Sequence, residues 1–183
     1  MKEILTPRLT LRRWKDEDKE PFANLNADPQ VMEFMPRALS REESHSLIER
    51  IEKNFKEHGF GLFAAELTKS QTFIGFIGLA IPSFQASFNP CVEIGWRLAF
   101  EHWGNGYATE GARAVLEFAF TELNLREVVS FTVTANLRSR RVMERVGMKF
   151  IEEFEHPSLP EGHPLRRHVL YAIAKNTAAL NDS

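Results

Sequence analysis

At 183 residues the chain is about one domain long, and a single domain over residues 1–183 is the expectation. Its 43% hydrophobic content and 15 phenylalanines supply a closed core and exclude a disordered chain. With 23 basic against 25 acidic side chains and a net charge of −2 there is no broad positive field for DNA, and the single cysteine, Cys91, excludes an internal disulfide and Cys-rich zinc sites.

From Met1 to Trp14 no apolar run of signal-peptide length occurs, and no later stretch approaches the roughly 18 apolar residues of a membrane span. A cytoplasmic protein without a membrane partner is expected. Thr6 to Trp14 places Leu9 and Leu11 at the two-residue period of a half-buried strand. A helix opens at Asp16 to Asp18 with Phe22 and Leu25 inward, and Asp28-Pro29 breaks it before a helical turn over Val31 to Phe34, which predicts a kinked helix pair.

Ser40 and Glu43 have capping-box spacing, and Leu47, Ile48, Ile51 and Phe55 give the helix that follows one apolar face, stopped by Gly59. Phe60 to Leu67 and Phe73 to Ile81 read as an antiparallel hairpin around Lys69-Ser70-Gln71, and Cys91 to Leu98 as a further strand. A glycine-rich turn then leads into a helix with Ala108, Ala112, Val115, Ala119 and Leu123 on one face. Val128 to Thr134 is a β-branched strand, Leu137 to Val146 a helix ended by Gly147, and Met148 to Phe154 and His168 to Ala174 are two last strands around the excursion Glu155 to Arg167. An α/β (α+β) domain with a mixed, mostly antiparallel sheet accommodates this order.

The turn Gly104-Asn105-Gly106-Tyr107-Ala108-Thr109 joins a strand to a helix, where glycines admit close backbone approach and the first helical N–H groups lack partners, so it suits a pyrophosphate. A plain strand-to-helix turn has the same composition. Walker A chemistry needs a Gly-Lys-Ser/Thr triplet, which is absent. A Rossmann site needs a third glycine where Thr109 stands and an acid ending the next strand, whereas Glu127 lies at its start.

Glu93-Ile94-Gly95-Trp96, Trp103 to Glu110, Asn136-Leu137-Arg138-Ser139 and Gly147-Met148, together with Thr6 to Arg12, resemble in order and spacing the GNAT superfamily of acetyl-CoA-dependent N-acetyltransferases, above all its RimJ/RimL branch, which acetylates protein N-termini. The resemblance implies a single GNAT-like domain whose splayed strands form the cofactor slot, with acetyl-CoA as cofactor and its diphosphate on the amides of Gly104, Asn105, Gly106, Tyr107, Ala108 and Thr109. Trp103 departs from the family's usual Gln or Arg at the head of that loop. The resemblance further implies a pantetheine arm laid along the strand Glu93 to Leu98, with Ile94, Trp96 and Leu98 as its cofactor-binding positions, and contacts from Asn136 and, at the adenosine phosphates, from Arg138, Arg140 or Arg141, of which Arg140 is taken.

Gly95 within an apolar strand suggests a bulge or a close backbone approach, and simple packing tolerance also fits. Glu93 is the acid of that strand and is placed to take the amine's proton, although strand alternation also allows a plain surface glutamate. Ser139 shares a helical face with Val142, Met143 and Val146 and could protonate the leaving thiolate; Tyr171 in the last strand is the rival acid. Asn136 suits a helix N-cap as well as a cofactor contact. His163 and His168 lack a shared helical face, so no metal site is assigned, and Cys91 reads as a small buried hydrophobe.

Amine acidity narrows the acceptor. At pH 7 roughly a tenth of α-amines are neutral against less than about a thousandth of lysines, which favours a protein or peptide α-amine without excluding polyamines, amino sugars or lysine. Acceptor contacts are expected from the connection Asp28 to Leu39 and the excursion Glu155 to Arg167, with Phe34, Met35, Arg37, His156 and His163 as candidates. A cofactor-binding sensor without transferase activity is the alternative, and homodimerisation is left open.

Overall fold

Apolar and β-branched segments pair into one sheet in the computed structural model, which describes residues 3–175. Among these residues the elements are β1 (Ile4–Leu5), β2 (Leu9–Arg12), α1 (Lys19–Ala27) after a 3-10 turn at Asp16–Asp18, α2 (Arg41–His58), β3 (Leu62–Leu67), β4 (Phe73–Ala80), β5 (Glu93–Leu98), α3 (Tyr107–Thr121), β6 (Glu127–Val133), α4 (Leu137–Arg145), β7 (Lys149–Glu155) and β8 (Arg167–Ala174). Sheet order is β1-β2-β3-β4-β5-β6-β8-β7. Every neighbouring pair is antiparallel except β5 and β6, the mixed α/β architecture expected.

The helices form where the sequence satisfies their ends. Ser40 and Glu43 exchange side-chain and backbone bonds at the start of α2, and Gly59 closes it in the left-handed conformation (φ 75°). The buried stripe Ile48, Ile51 and Phe55 then packs on the sheet, with Phe55 edge-on to Phe63 at 5.0 Å. In α3 the buried positions Ala112, Val115, Leu116 and Ala119 seat the helix on the main core with Leu9, Ile77 and Ile94. Arg12 ties the N-terminal strand down through hydrogen bonds from its buried guanidinium to Asp18 and Glu66.

Two expectations are corrected. The residues after Pro29 form successive hydrogen-bonded turns (Met32 N to Asp28 O, 3.0 Å; Met35 N to Met32 O, 2.9 Å) and no second helix, because Asp28 is extended (ψ 118°) and its carboxylate takes the Gln30 N–H. Nor does Gly95 make a bulge: it pairs with Gly78 in an unbroken ladder from Gly75↔Leu98 to Ala80↔Glu93. The strands diverge on the other side of β5, where a single pair, Glu93↔Val129, joins it to β6.

Candidate active site

Parallel pairing of β5 with β6 ends almost where it begins. Val129 N–H donates to Val92 O at 2.9 Å, and one step further the Ser130 hydroxyl caps Ile94 O at 2.9 Å. By strand alternation the N–H and C=O of Trp96 face the same side, where β6 has departed. A cavity of about 900 Å³ occupies this divergence, lined by Trp96, Ser130, Thr132 and Asn136 at its centre and by the start of α3 at one end. The open edge of β5 thus offers an extended chain the hydrogen bonds of an added strand.

At the start of α3 both glycines are left-handed (Gly104 φ 78°, Gly106 φ 80°), and the N-cap position, Gly106, supplies no side-chain bond. Glu110 N–H is the first to turn back, to Gly106 O at 3.0 Å, so the amides ahead of it keep their donors for an outside acceptor. Gly104, Gly106, Tyr107, Ala108 and Thr109 line the cavity, and Arg141 and Arg145 add positive charge beside them. Unpaired amides, the positive end of a helix dipole and two guanidiniums fit a diphosphate.

Arg8 holds this loop from outside. Its guanidinium reaches Asn105 O at 2.9 Å and Glu110 at 2.6 Å, and lies 4.7 Å from the Tyr107 ring centroid. Only the tertiary fold brings residue 8 to residue 105, and no local pattern could have revealed that contact.

Glu93 is half-buried on the cavity wall, and burial pushes its carboxyl up to about 8. Ser139 also lines the cavity and accepts a hydrogen bond from Trp96 Nε1 at 3.1 Å. That bond occupies a lone pair and leaves the serine O–H free to donate. Asn136 caps α4 by accepting from Ser139 N–H at 3.2 Å and donates from Nδ2 to Thr132 Oγ1 at 3.0 Å, so one residue fixes both the helix start and the position of Ser139.

Several sequence assignments fall elsewhere. Tyr171 is buried off the cavity wall and donates to Glu144 at 3.1 Å, which removes it as the rival acid. Arg140, taken for the phosphates, turns to Thr134 O at 3.0 Å and the Tyr171 hydroxyl, because it lies one helical step off the face that carries Arg141 and Arg145. Asn105 folds its side chain onto His102 O and Trp103 O, outside the wall, while its backbone amide, the group expected to bind, stays among the unpaired donors of the loop. The Ile94 side chain is wholly buried in the core, and its carbonyl is taken by Ser130. Leu98 stays on the wall, but its carbonyl accepts from Trp103 Nε1 at 2.8 Å.

Phe34, Met35 and His156 line the cavity as expected, whereas Arg37 pairs with Glu43 and His163 turns its ring to the Leu165 N–H. His156 and His168 stack at 4.9 Å, and burial lowers the pKa of both. Over the middle, Arg138 pairs with Glu33 and lies 4.7 Å from the Trp103 ring and 5.6 Å from Phe34. Arg97 is a wall residue that sequence reading passed over. The alternation Glu93, Gly95, Arg97 places all three on one face of the strand and is the signal that could have found it.

An amide-lined anion seat beside a strand edge left open for an extended arm defines a coenzyme A-dependent acyltransferase. Residues 8–149 match the family model of the acetyltransferase (GNAT) domain, and the chain belongs to that family, whose members transfer an acetyl group from acetyl-CoA. It is 34% identical over 185 positions to the FsC-acetyl coenzyme A-N(2)-transacetylase of Aspergillus fumigatus, covering 93% of this chain and 75% of that protein. A GNAT-family acetyltransferase from Bacillus anthracis superposes with TM-score 0.78 at 26% identity, over 95% of this chain and 99% of that one. The ribosomal-protein-S5-alanine acetyltransferase of Vibrio fischeri shares the fold alone, with TM-score 0.77 at 15% identity over 97% of this chain and 98% of the other.

Proposed function

We propose that the protein acetylates a primary α-amine, that of a peptide or protein N-terminus or of a small molecule built like one, with Glu93 as proton acceptor and Ser139 as proton donor. The observation that carries this reading is the position of Glu93, the one carboxylate among the described residues lining the cavity, on the strand whose Trp96 indole holds Ser139; burial also shifts its carboxyl upward, to about 8. An α-amine titrates at about 7.7–8.0 and lysine at about 10.4. Transfer to Glu93 is therefore nearly level from an α-ammonium and uphill from a lysine.

Bound acetyl-CoA supplies an activated acyl carbon and a thiolate leaving group. Glu93 would take the first proton, from the ammonium, and the freed nitrogen would form the C–N bond as the C–S bond breaks, shedding its second proton toward the departing sulfur. Ser139, its lone pair occupied by the Trp96 indole N–H, would pass its hydroxyl proton to the departing sulfur and receive the second proton shed by the nitrogen, so that no alkoxide remains. Gly106 and the first amides of α3 would hold the diphosphate, and the Trp96 backbone would hold the arm, so the chain's part is largely positioning. Among the relatives, the Aspergillus enzyme carries an N(2) transfer in its name, which is consistent with an α-amine.

Mass spectrometry of a peptide with a free α-amine, an Nα-blocked lysine peptide and spermidine, each incubated with acetyl-CoA, tests the acceptor. The free α-amine should be modified, and modification of lysine or spermidine alone would overturn the proposal. Glu93→Gln should lower kcat about a hundredfold or more, the scale of general-base catalysis, with coenzyme affinity unchanged. Wild-type turnover should decline as the pH drops below about 8, where Glu93 holds its proton. Equal kcat for the variant and the wild type across that range would remove Glu93 from the role.

A further inference from the structure

Two arginines are drawn into the interior of this protein and treated in opposite ways. Arg12 is neutralised by Asp18 and Glu66, which raise its pKa above the ordinary value. Arg97, half-buried on the cavity wall, forms no ion pair with a carboxylate among the described residues. It is nevertheless held in place. Its Nη1 donates to Asn26 Oδ1 at 2.6 Å, its guanidinium stands 5.4 Å from the Phe76 ring centroid, and behind it the wholly buried Asn26 donates to Ser44 Oγ at 3.1 Å, which donates to Ser40 O at 2.9 Å. A guanidinium carries five N–H donors, and the fixed one faces Asn26, so the Nε–Nη2 edge, the fork that grips a carboxylate with two parallel bonds, has no hydrogen-bond partner among the described residues.

The placement points at the acceptor. Glu93, Gly95 and Arg97 alternate onto one face of β5, opposite the face of Ile94 and Leu98 that packs with α3. A Cβ on Gly95 would meet nothing within 4 Å, so open space runs between the carboxyl and the guanidinium, whose Cα atoms lie about 13 Å apart along a strand rising about 3.3 Å per residue. Charge on the wall agrees: Arg138 is paired with Glu33 and Arg141 and Arg145 lie with the anion seat, so among the described residues Arg97 is the lining arginine without an assigned anion. Burial without a counter-charge also lowers the Arg97 pKa to about 10, a cost that an incoming anion would relieve.

We infer that Arg97 is the recognition point for a carboxylate on the acceptor, so that the molecule acetylated is an amino acid, short peptide or similar amine that also bears a free acid group. This rests on the transferase reading of the same cavity and narrows its substrate. A polyamine has no group for Arg97 and brings further positive charge to a wall that already holds four arginines.

A ladder of oligoglycines of two to five residues, each as the free acid and as the C-terminal amide, tests it, since every glycine extends the reach by about 3.5 Å. With acetyl-CoA, at least one acid should exceed its amide tenfold or more in kcat/KM. Arg97→Met should erase that preference by lowering the acid alone, and Arg97→Lys should retain part of it. Acids and amides turned over equally by the wild type would overturn the inference. So would an Arg97→Met variant that weakens both members alike or weakens coenzyme A itself, since Arg97 would then be a prop or a cofactor ligand. A second arm needs no turnover: calorimetry of N-acetylated acids and amides on the coenzyme A-loaded protein should favour the acids tenfold, and equal binding would reject Arg97 as the carboxylate site. If neither acids nor amides are acetylated, the transferase reading fails for this acceptor class, and the calorimetry still decides on Arg97.

Discussion

Helices α2 and α3 begin in opposite ways. At α2, Ser40 and Glu43 exchange reciprocal bonds and the chain satisfies its own backbone. At α3, Gly106 holds the cap position in a left-handed conformation and supplies no side chain. Between them stands α4, where Asn136 caps the helix and lies on the cavity wall. Where a helix end serves only the fold, the sequence closes it; at α3, whose amides suit an anion, the donors stay free.

The contrast can be broken experimentally. Gly106→Asp puts a carboxylate among the free amides of α3, at a residue type that tolerates positive φ better than most. Acetyl-CoA affinity by calorimetry should fall at least a hundredfold with little change in melting temperature, and unchanged affinity would mean that the diphosphate lies elsewhere. Asn136→Ala should act on both quantities, lowering kcat about tenfold through a misplaced Ser139 and lowering stability by about 1 kcal/mol through the lost cap. A loss confined to stability would assign Asn136 to the fold alone. Ser40→Ala should cost about 1 kcal/mol in denaturant unfolding with coenzyme affinity unmoved; any loss of affinity there would blur the distinction between the two helix starts.

A further effect is a drift with pH. An unfolded glutamate titrates at about 4.3 and Glu93 in the fold at about 8, so between those values the folded state binds the proton more tightly and loses stability as the pH rises. The melting temperature of the wild type relative to Glu93→Gln should therefore decline from pH 5 to pH 9, and a constant gap would contradict the burial of that carboxyl.

What could be read in advance divides along the range of the interactions. Ser40 with Glu43, Gly59, and the turn Gly104 to Gly106 are signals written within a few residues, and the structure places each at the helix end it suggested. Periodicity likewise located the strands, with β7 and β8 joined as an antiparallel pair. Rotational phase was harder: Arg140 differs from Arg141 by one helical step, and sequence alone does not say which of the two looks into a cavity. Tyr171 had the chemistry of an acid, but its surroundings, Glu144 and Arg140, come from another element. For Gly95 the sequence leaves a bulge, a close backbone approach and simple packing tolerance open, because a glycine in a strand signals unusual backbone without saying which. Its role in the structure is the side chain it lacks, which leaves space over the strand.

The single pair between β5 and β6 also bears on how the protein meets its ligands. Between the other neighbouring strands an intruding chain would have to unzip a ladder and repay every bond it broke. Along this seam the donors and acceptors of Trp96 have no strand to lose, so a guest can be stitched in without first undoing the cloth.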